Sequence, residues 1–294
     1  MAVFRSCNLI AHKCREVISL STPSYVFCIT YSRKKYFSRW RRQMKKIFAV
    51  FLCIFSIFLF SDVYAENKNV TIDSFNKAKK LLEREVYFDH RVTIYCNALF
   101  DEEKNITIPK GFVAPKHEKR SKRIEWEHIV PAENFGRTFL EWREGDPQCV
   151  NKGKPFKGRR CAEKVNKDYR YMQADMYNLY PAIGSVNAMR GNMNFQMIGD
   201  SVPATFGTCQ MKIVDNKVEP PITARGQIAR TYKYMADAYS PRYRMSRQQT
   251  QLMDAWDRMY PVTEWECTRA KRIESIQKNE NKFVKIPCQE AGLW

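Results

Sequence analysis

Glu127 and His128 are adjacent residues whose side chains could take part in acid–base catalysis or metal binding. Together with Glu125 they lie in the otherwise apolar segment 124–130, where ionisable groups cost free energy unless they are paired or used. A neutral imidazole can take a proton from water, and a carboxylate can hold a hard cation. The pattern equally fits a core histidine hydrogen-bonded to a glutamate. The H-E-x-x-H spacing of a zinc protease is absent from the sequence.

A second polar group lies in segment 168–181. If this segment is helical, Tyr171, Asp175 and Asn178 share one face. Carboxylate and amide oxygens suit a hard ion such as Mg²⁺ rather than zinc. An asparagine near the end of a helix is also a common cap, so Asn178 alone leaves both interpretations open.

The elements that position these residues are predicted from periodicity and capping signals. The spacing predicts helices over 74–88 and 166–179, the second ended by Pro181, and strands over 91–95 and just before 125–131. In the last third we predict the helices 224–238, 246–260 and 263–276, with capping boxes at Ser246 and Thr263. Segments 101–123 and 141–164 are polar, and we predict loops there. The interpretation is a single mixed α+β domain with a helical C-terminal third.

The beginning of the sequence is typical of an exported protein. Met44-Lys-Lys precedes the apolar run 47–60, and a small residue, Ala65, follows shortly after. We therefore interpret 44–65 as a secretory signal peptide, 1–43 as an over-extended gene start or unusual leader, and 66–294 as the mature domain. The apolar run is short for a membrane span.

Charge indicates the partner. The 294 residues include 50 Lys and Arg against 31 Asp and Glu, a net charge of +19, and the part after Ala65 remains basic. Such an excess suggests a polyanion, either nucleic acid or a membrane surface. Six cysteines remain after Ala65, and an even number in an exported chain favours three disulfides. Sequence alone does not choose among their pairings.

Several motifs resemble the bacterial endonuclease I family of exported, nonspecific nucleases. The matching stretches are Glu127-His-Ile-Val-Pro-Ala, Asp175-Met-Tyr-Asn-Leu, Ser185-Val-Asn-Ala-Met-Arg-Gly-Asn, Ala224-Arg-Gly-Gln-Ile-Ala-Arg-Thr-Tyr, and Tyr260-Pro-Val-Thr-Glu-Trp-Glu-Cys. They occur in the family's order and cover nearly the whole mature chain. Two positions depart from the family pattern, Tyr177 and Met189. Neither corresponds to a residue assigned to catalysis or to the metal.

The resemblance implies a ββα-metal nuclease core in which a hairpin and a helix hold one divalent ion. By it, His128 is the general base, while Glu127 and Asn178 hold Mg²⁺, with Mn²⁺ or Ca²⁺ as alternatives. An arginine in the loop before a helix contacts the cleaved phosphate. Arg159 and Arg160 are the two candidates, and we prefer Arg159. By the resemblance, we expect the protein to cut DNA, and also RNA, into fragments that carry 5′-phosphate ends.

The resemblance also favours one cysteine pairing: Cys96 with Cys209, Cys149 with Cys161, and Cys267 with Cys288. The sequence offers further substrate-binding candidates, since residues 151–170 contain eight basic side chains. Such a run beside a phosphodiester site is expected to follow the nucleic-acid backbone without reading bases. The candidate contacts are Arg123, Arg160, Arg190 and Asn192.

We expect a monomer that is periplasmic or secreted, with no stable membrane association once mature. The main alternative is a secreted cationic nucleic-acid-binding protein with a decayed nuclease centre. A membrane-surface protein is a third interpretation, but it needs a basic amphipathic helix, and the predicted helices carry mixed charge.

Overall fold

The computed structural model describes residues 67–294. The predicted leader (1–43) and signal peptide (44–65) lie outside these residues. Between residues 67 and 294, no helix combines the length and the apolar character that crossing a membrane requires.

The described chain is an α+β domain, as predicted. Its ten helices are α1 (Phe75–Leu81), α2 (Ala132–Gly136), α3 (Leu140–Arg143), α4 (Arg159–Val165), α5 (Lys167–Gln173), α6 (Gly184–Arg190), α7 (Ile222–Ala238), α8 (Arg247–Met259), α9 (Glu264–Gln277) and α10 (Lys282–Glu290). The six strands are β1 (Ile124–His128), β2 (Val150–Asn151), β3 (Lys154–Pro155), β4 (Leu179–Ile183), β5 (Lys212–Val214) and β6 (Lys217–Glu219). α1 continues as a π-helical turn over Leu82–Val86, and 3₁₀ turns cover Glu118–Lys122 and Met176–Asn178.

Strand β1, strand β4 and helix α6 form the unit that positions Glu127 and His128. β1 and β4 pair antiparallel, with Glu127 opposite Tyr180 and His128 opposite Leu179. α6 follows β4 directly and packs on both strands. Helices α2 to α5 lie in the connection between the two strands. The unit therefore has the strand, strand, helix order that the resemblance implies.

The helical C-terminal third begins its helices where the sequence predicted. Ser246 caps α8 by accepting a hydrogen bond from the Gln249 N–H, and Thr263 caps α9 by accepting one from the Glu266 N–H. Each cap satisfies a backbone donor that the first helical turn leaves unpaired. α10 was not predicted. It begins after Asn281, whose side chain accepts from the Phe283 N–H.

Three predictions of local structure are wrong. The segment 141–164, predicted as a loop, contains the short strands β2 and β3 and most of α4. Residues 91–95 do not form a strand, because the chain turns back at once. Asn97, in the left-handed region (φ 49°), donates its N–H to the Thr93 carbonyl, and the Thr93 hydroxyl accepts from the Ala98 N–H. Only Val92 and Leu99 pair across this turn.

The predicted helix 166–179 ends early, at Gln173. Asp175 caps the following 3₁₀ turn instead of sharing a helical face with Tyr171 and Asn178. Pro181 lies inside β4 rather than ending a helix. Its missing N–H is tolerated because the sheet has only two strands.

Asp175 is the centre of a buried hydrogen-bond network next to the start of β4. Its carboxylate accepts from the hydroxyls of Tyr234 and Tyr239, each at 2.6 Å, from the Gln277 side chain at 3.0 Å and from the Tyr177 N–H at 3.0 Å. Burial raises the pKa of this carboxyl. The network joins the segment before β4 to α7 and α9, so it fixes the strand that pairs with β1.

The three disulfides confirm the pairing that the resemblance favoured. Cys149–Cys161 closes a short loop before and within α4, Cys267–Cys288 joins α9 to α10, and Cys96–Cys209 links residues 113 positions apart.

Candidate active site

A cleft of about 490 Å³ opens at the C-terminal end of β1. It is lined by α1, β1, the start of α4 and the end of α6 with the turn after it. The lining residues are Phe75, Trp126, Glu127, His128, Pro131, Ala132, Glu133, Trp142, Arg159, Asn187, Gly191 and Asn192. Three of the residues singled out for chemistry, Glu127, His128 and Arg159, therefore meet in one cavity.

His128 is held in one orientation at the cleft wall. Its Nε2 lies 2.9 Å from the main-chain oxygen of Gln173, and its ring packs against Phe75 with centroids 5.0 Å apart. A carbonyl oxygen only accepts, so this bond places the proton of the neutral ring on Nε2 and leaves the Nδ1 lone pair as the acceptor. Burial, with Arg159 nearby, lowers the pKa of His128 to about 3. The ring is thus neutral at pH 7, the form that can accept a proton.

Glu127 is buried, with one carboxylate oxygen engaged. Oε1 accepts from the Tyr95 hydroxyl at 3.0 Å and from Arg190 at 2.8 Å. Oε2 makes no hydrogen bond to any residue in the described range 67–294. Burial raises the pKa of Glu127, while the Arg190 guanidinium opposes that shift. An unpartnered carboxylate oxygen at the wall of a cleft fits a hard cation such as Mg²⁺.

Asn178 lies beside the same strand end but is fully buried. Its Oδ1 accepts from the Val130 N–H at 2.7 Å, and its Nδ2 donates to the Val130 carbonyl at 3.0 Å. The side chain thus ties β1 to the start of β4, and one lone pair of Oδ1 stays uncommitted. Within residues 67–294 no group of three His, Cys, Asp or Glu side chains could hold a metal. Oxygen donors such as Glu127 Oε2 and Asn178 Oδ1 are of the kind that Mg²⁺ takes.

Of the two arginine candidates for the phosphate, Arg159 lines the cleft and Arg160 does not. Arg159 donates from Nε to the Gln173 side chain at 2.9 Å, and its guanidinium lies 5.2 Å from the Phe75 ring centre. Its Nη2 is buried and has no hydrogen-bond partner among residues 67–294. Arg160 is exposed and lies over the Phe156 ring. The positive charge of an arginine at a cleft wall is suited to a phosphate.

The prediction that Arg190 binds substrate is wrong. Its side chain is fully buried and donates to Glu127, to the carbonyls of His128 and Ile129, and to the Met193 carbonyl. Every nitrogen of the guanidinium is engaged within the protein, so none is available to a ligand. Arg190 instead holds the C-terminal end of β1 in place from the protein interior.

The remaining candidates for substrate contact differ in position. Asn192 is exposed on the cleft rim, where its side chain donates to Glu133. Arg123 is exposed but precedes β1, and donates to the Glu103 carbonyl at 2.7 Å. At about 3.3 Å per strand residue, it lies roughly 16 Å along the strand from His128. Arg123 therefore lies outside the cleft.

The basic run is a solvent-exposed surface next to Arg159. Its exposed members are Lys152, Lys154, Lys157, Arg160, Lys164 and Lys167. Tyr169, within the run, is fully buried against Trp142 and Phe139 and is not available to stack on a base. The charges thus face solvent while the aromatic ring belongs to the core.

Sequence reasoning missed Gln173 and Tyr95. Gln173 lies within the polar stretch 168–181, but an amide side chain is a typical feature of many helices and does not by itself indicate a role in a site. Tyr95 lies in the mispredicted strand 91–95. Its hydroxyl reaches Glu127 only because the chain turns there, and periodicity contains no signal for such a contact.

The sequence is similar to those of known nucleases. The model of a family described as Endonuclease I matches residues 83–288. An extracellular deoxyribonuclease of Aeromonas hydrophila is 39% identical over 223 residues, covering 74% of this chain and 91% of the relative. A periplasmic deoxyribonuclease of the same species is 39% identical over 211 residues, covering 69% and 82%. Endonuclease-1 of Buchnera aphidicola subsp. Acyrthosiphon pisum is 36% identical over 227 residues, covering 75% and 84%.

Proposed function

The chain belongs to the endonuclease I family, and from that premise we propose that it is an exported, Mg²⁺-dependent endonuclease that cuts DNA and RNA without sequence preference. The protein is a nuclease. The names of its relatives support DNA as the substrate and a periplasmic or extracellular location. The observation that carries the finer proposal is the meeting of His128, Glu127 and Arg159 in one cleft beside a basic surface.

In the proposed reaction, His128 is the general base. Its free Nδ1 takes the proton of a water that attacks the phosphorus, while the bond from Nε2 to the Gln173 carbonyl keeps the ring in place. That bond also stabilises the positive charge which the imidazole gains. The low pKa of His128 keeps the ring unprotonated at pH 7, so the lone pair of Nδ1 is not occupied by a proton.

The other residues handle the phosphate charge. Arg159 lines the cleft and contributes the positive charge of its guanidinium to the cleaved phosphate. Glu127 Oε2 would hold the divalent ion, with Asn178 contributing through the uncommitted lone pair of its Oδ1. When bound, the ion neutralises the charge that develops on the leaving 3′-oxygen, so the products carry 5′-phosphates.

The exposed lysines and arginines of 151–170 support binding without sequence preference. They present charge rather than a groove-reading element, which suits contacts to successive phosphates. Affinity should therefore fall steeply with salt. We propose that the protein acts as a monomer.

The test is cleavage of plasmid DNA and of RNA by the oxidised protein, with Mg²⁺ or with EDTA. His128→Ala should abolish cutting, because no other described side chain of the cleft offers a neutral base. His117→Ala is the matched control, since His117 is exposed in a loop away from the cleft. Tight binding without cutting, unaffected by EDTA, would refute the proposal and support the alternative of a binding protein with a decayed centre.

A further inference from the structure

Gln173 is hydrogen-bonded to both His128 and Arg159, although it does not itself line the cleft. It is the last residue of α5 and is 1% exposed. Its main-chain oxygen bonds His128 Nε2 at 2.9 Å, and its side-chain Oε1 accepts from Arg159 Nε at 2.9 Å. The Tyr169 hydroxyl donates to the same Oε1 at 3.1 Å. One buried residue thus sets the orientation of two groups that lie on different elements.

Two buried donors next to this junction have no acceptor. They are Nε2 of Gln173 and Nη2 of Arg159. Leaving a buried donor unpaired is costly, and such groups in a native fold need an explanation. The two donors belong to side chains that are bonded to each other, so both lie on one side of the cleft wall.

The neutrality of Gln173 is the second part of the observation. A carboxylate in its place would accept from both Nε and Nη2 and form a closed ion pair with Arg159. The amide accepts only through Oε1. The positive charge of Arg159 is therefore not neutralised by Gln173, and this charge attracts a phosphate.

We propose that Gln173 is the positioning residue for Arg159: its amide directs the guanidinium toward the scissile phosphate and leaves the positive charge unneutralised. The inference rests on the proposed function and deepens it, because it names the residue that sets the phosphate contact. It is separable from the His128 bond, which uses the main chain and survives side-chain substitution.

The test compares the kinetics of DNA cleavage in Gln173→Leu and Gln173→Glu with those of the parent. Gln173→Leu should lower kcat/KM by about tenfold or more, the effect of losing one charge-assisted hydrogen bond. In an Arg159→Ala background the same change should alter kcat/KM less than about twofold. A purely structural role would lower kcat/KM equally in both backgrounds, and that result would overturn the proposal.

Gln173→Glu keeps the bond to Arg159 and guards against misfolding of the leucine variant. It should retain the parent's melting temperature while reducing the slope of log(kcat/KM) against log[salt] by about one, because one phosphate contact is lost. An unchanged slope and rate would overturn the proposal. Gln210→Leu is the matched control, because Gln210 is exposed and bonds only the Thr208 carbonyl.

The failure of this inference is distinguishable from failure of the proposed function. If the parent protein cuts DNA and the Gln173→Leu variant cuts it at the same rate, only the proposed role of Gln173 is refuted. If the parent protein binds DNA but does not cut it, both the proposed function and the role of Gln173 are refuted.

Discussion

Replacing Arg190 with methionine should test how the end of β1 is held. Arg190 is fully buried and donates to Glu127 and to the main-chain carbonyls of residues 128, 129 and 193. Methionine fills much of the same volume but donates nothing. The variant therefore leaves a buried carboxylate with the Tyr95 hydroxyl as its single described donor.

The expected loss is large because the unpaired charge stays in the core. Removing one partner of a buried ion pair typically costs about 3–5 kcal/mol. The carbonyls released at the same time add to the loss, although they can recover bonds to water from the cleft. Arg91→Met is the matched control: its pair with Glu102 is exposed, so it should cost less than about 1 kcal/mol.

The assay is guanidinium unfolding at pH 7 in EDTA of the parent, Arg190→Met, Glu127→Gln and the double variant. The double variant should lose less free energy of unfolding than the two single variants together, since it contains no unpaired buried charge. Two results would refute the reasoning: an Arg190→Met protein within about 1 kcal/mol of the parent, or single effects that simply add.

Three further predictions concern packing, the disulfide loop and the buried carboxylate. In Gly136→Ala the new Cβ would clash with the indole ring of Trp142, so we expect a loss of about 1–3 kcal/mol in the free energy of unfolding and altered tryptophan fluorescence. Unchanged melting and fluorescence would contradict this. Replacing Cys149 and Cys161 together by serine should lower the free energy of unfolding by about 3 kcal/mol in the chain-entropy model, and equal denaturation midpoints would count against it. Asp175→Asn removes one of two accepting oxygens from four donors and should cost about 1–3 kcal/mol in urea unfolding; a melting curve like the parent's would show that the network rearranges without penalty.

The sequence predicted most reliably where local signals decide the structure. Helices α8 and α9 begin at the Ser246 and Thr263 caps that the sequence displays, and the lengths of α7, α8 and α9 follow from apolar periodicity. His128 and Glu127 were identified because charge in an apolar segment is unusual. These features depend on near neighbours in the chain, which a single sequence displays directly.

Prediction failed where distant residues decide. The helix predicted over 166–179 extends beyond its end at Gln173 because 168–178 has helical spacing. β4 was not predicted because Pro181 is unusual in a strand, and it is the pairing with β1 that makes this segment extended. Arg190 was assigned to substrate because it is a basic residue in a polar motif. Its burial depends on Glu127, which is 63 positions earlier in the chain, and no local pattern contains that information.

The position of Arg190 at the end of α6 also determines when activity can arise. During synthesis and passage out of the cell, residues 127 and 128 emerge well before residue 190. Until α6 docks, Glu127 and the carbonyls beside it have no guanidinium to hold them. A chain that stalls or misfolds before that step contains His128 and Glu127 but not their arrangement, so under the proposed mechanism it leaves a nucleic acid uncut.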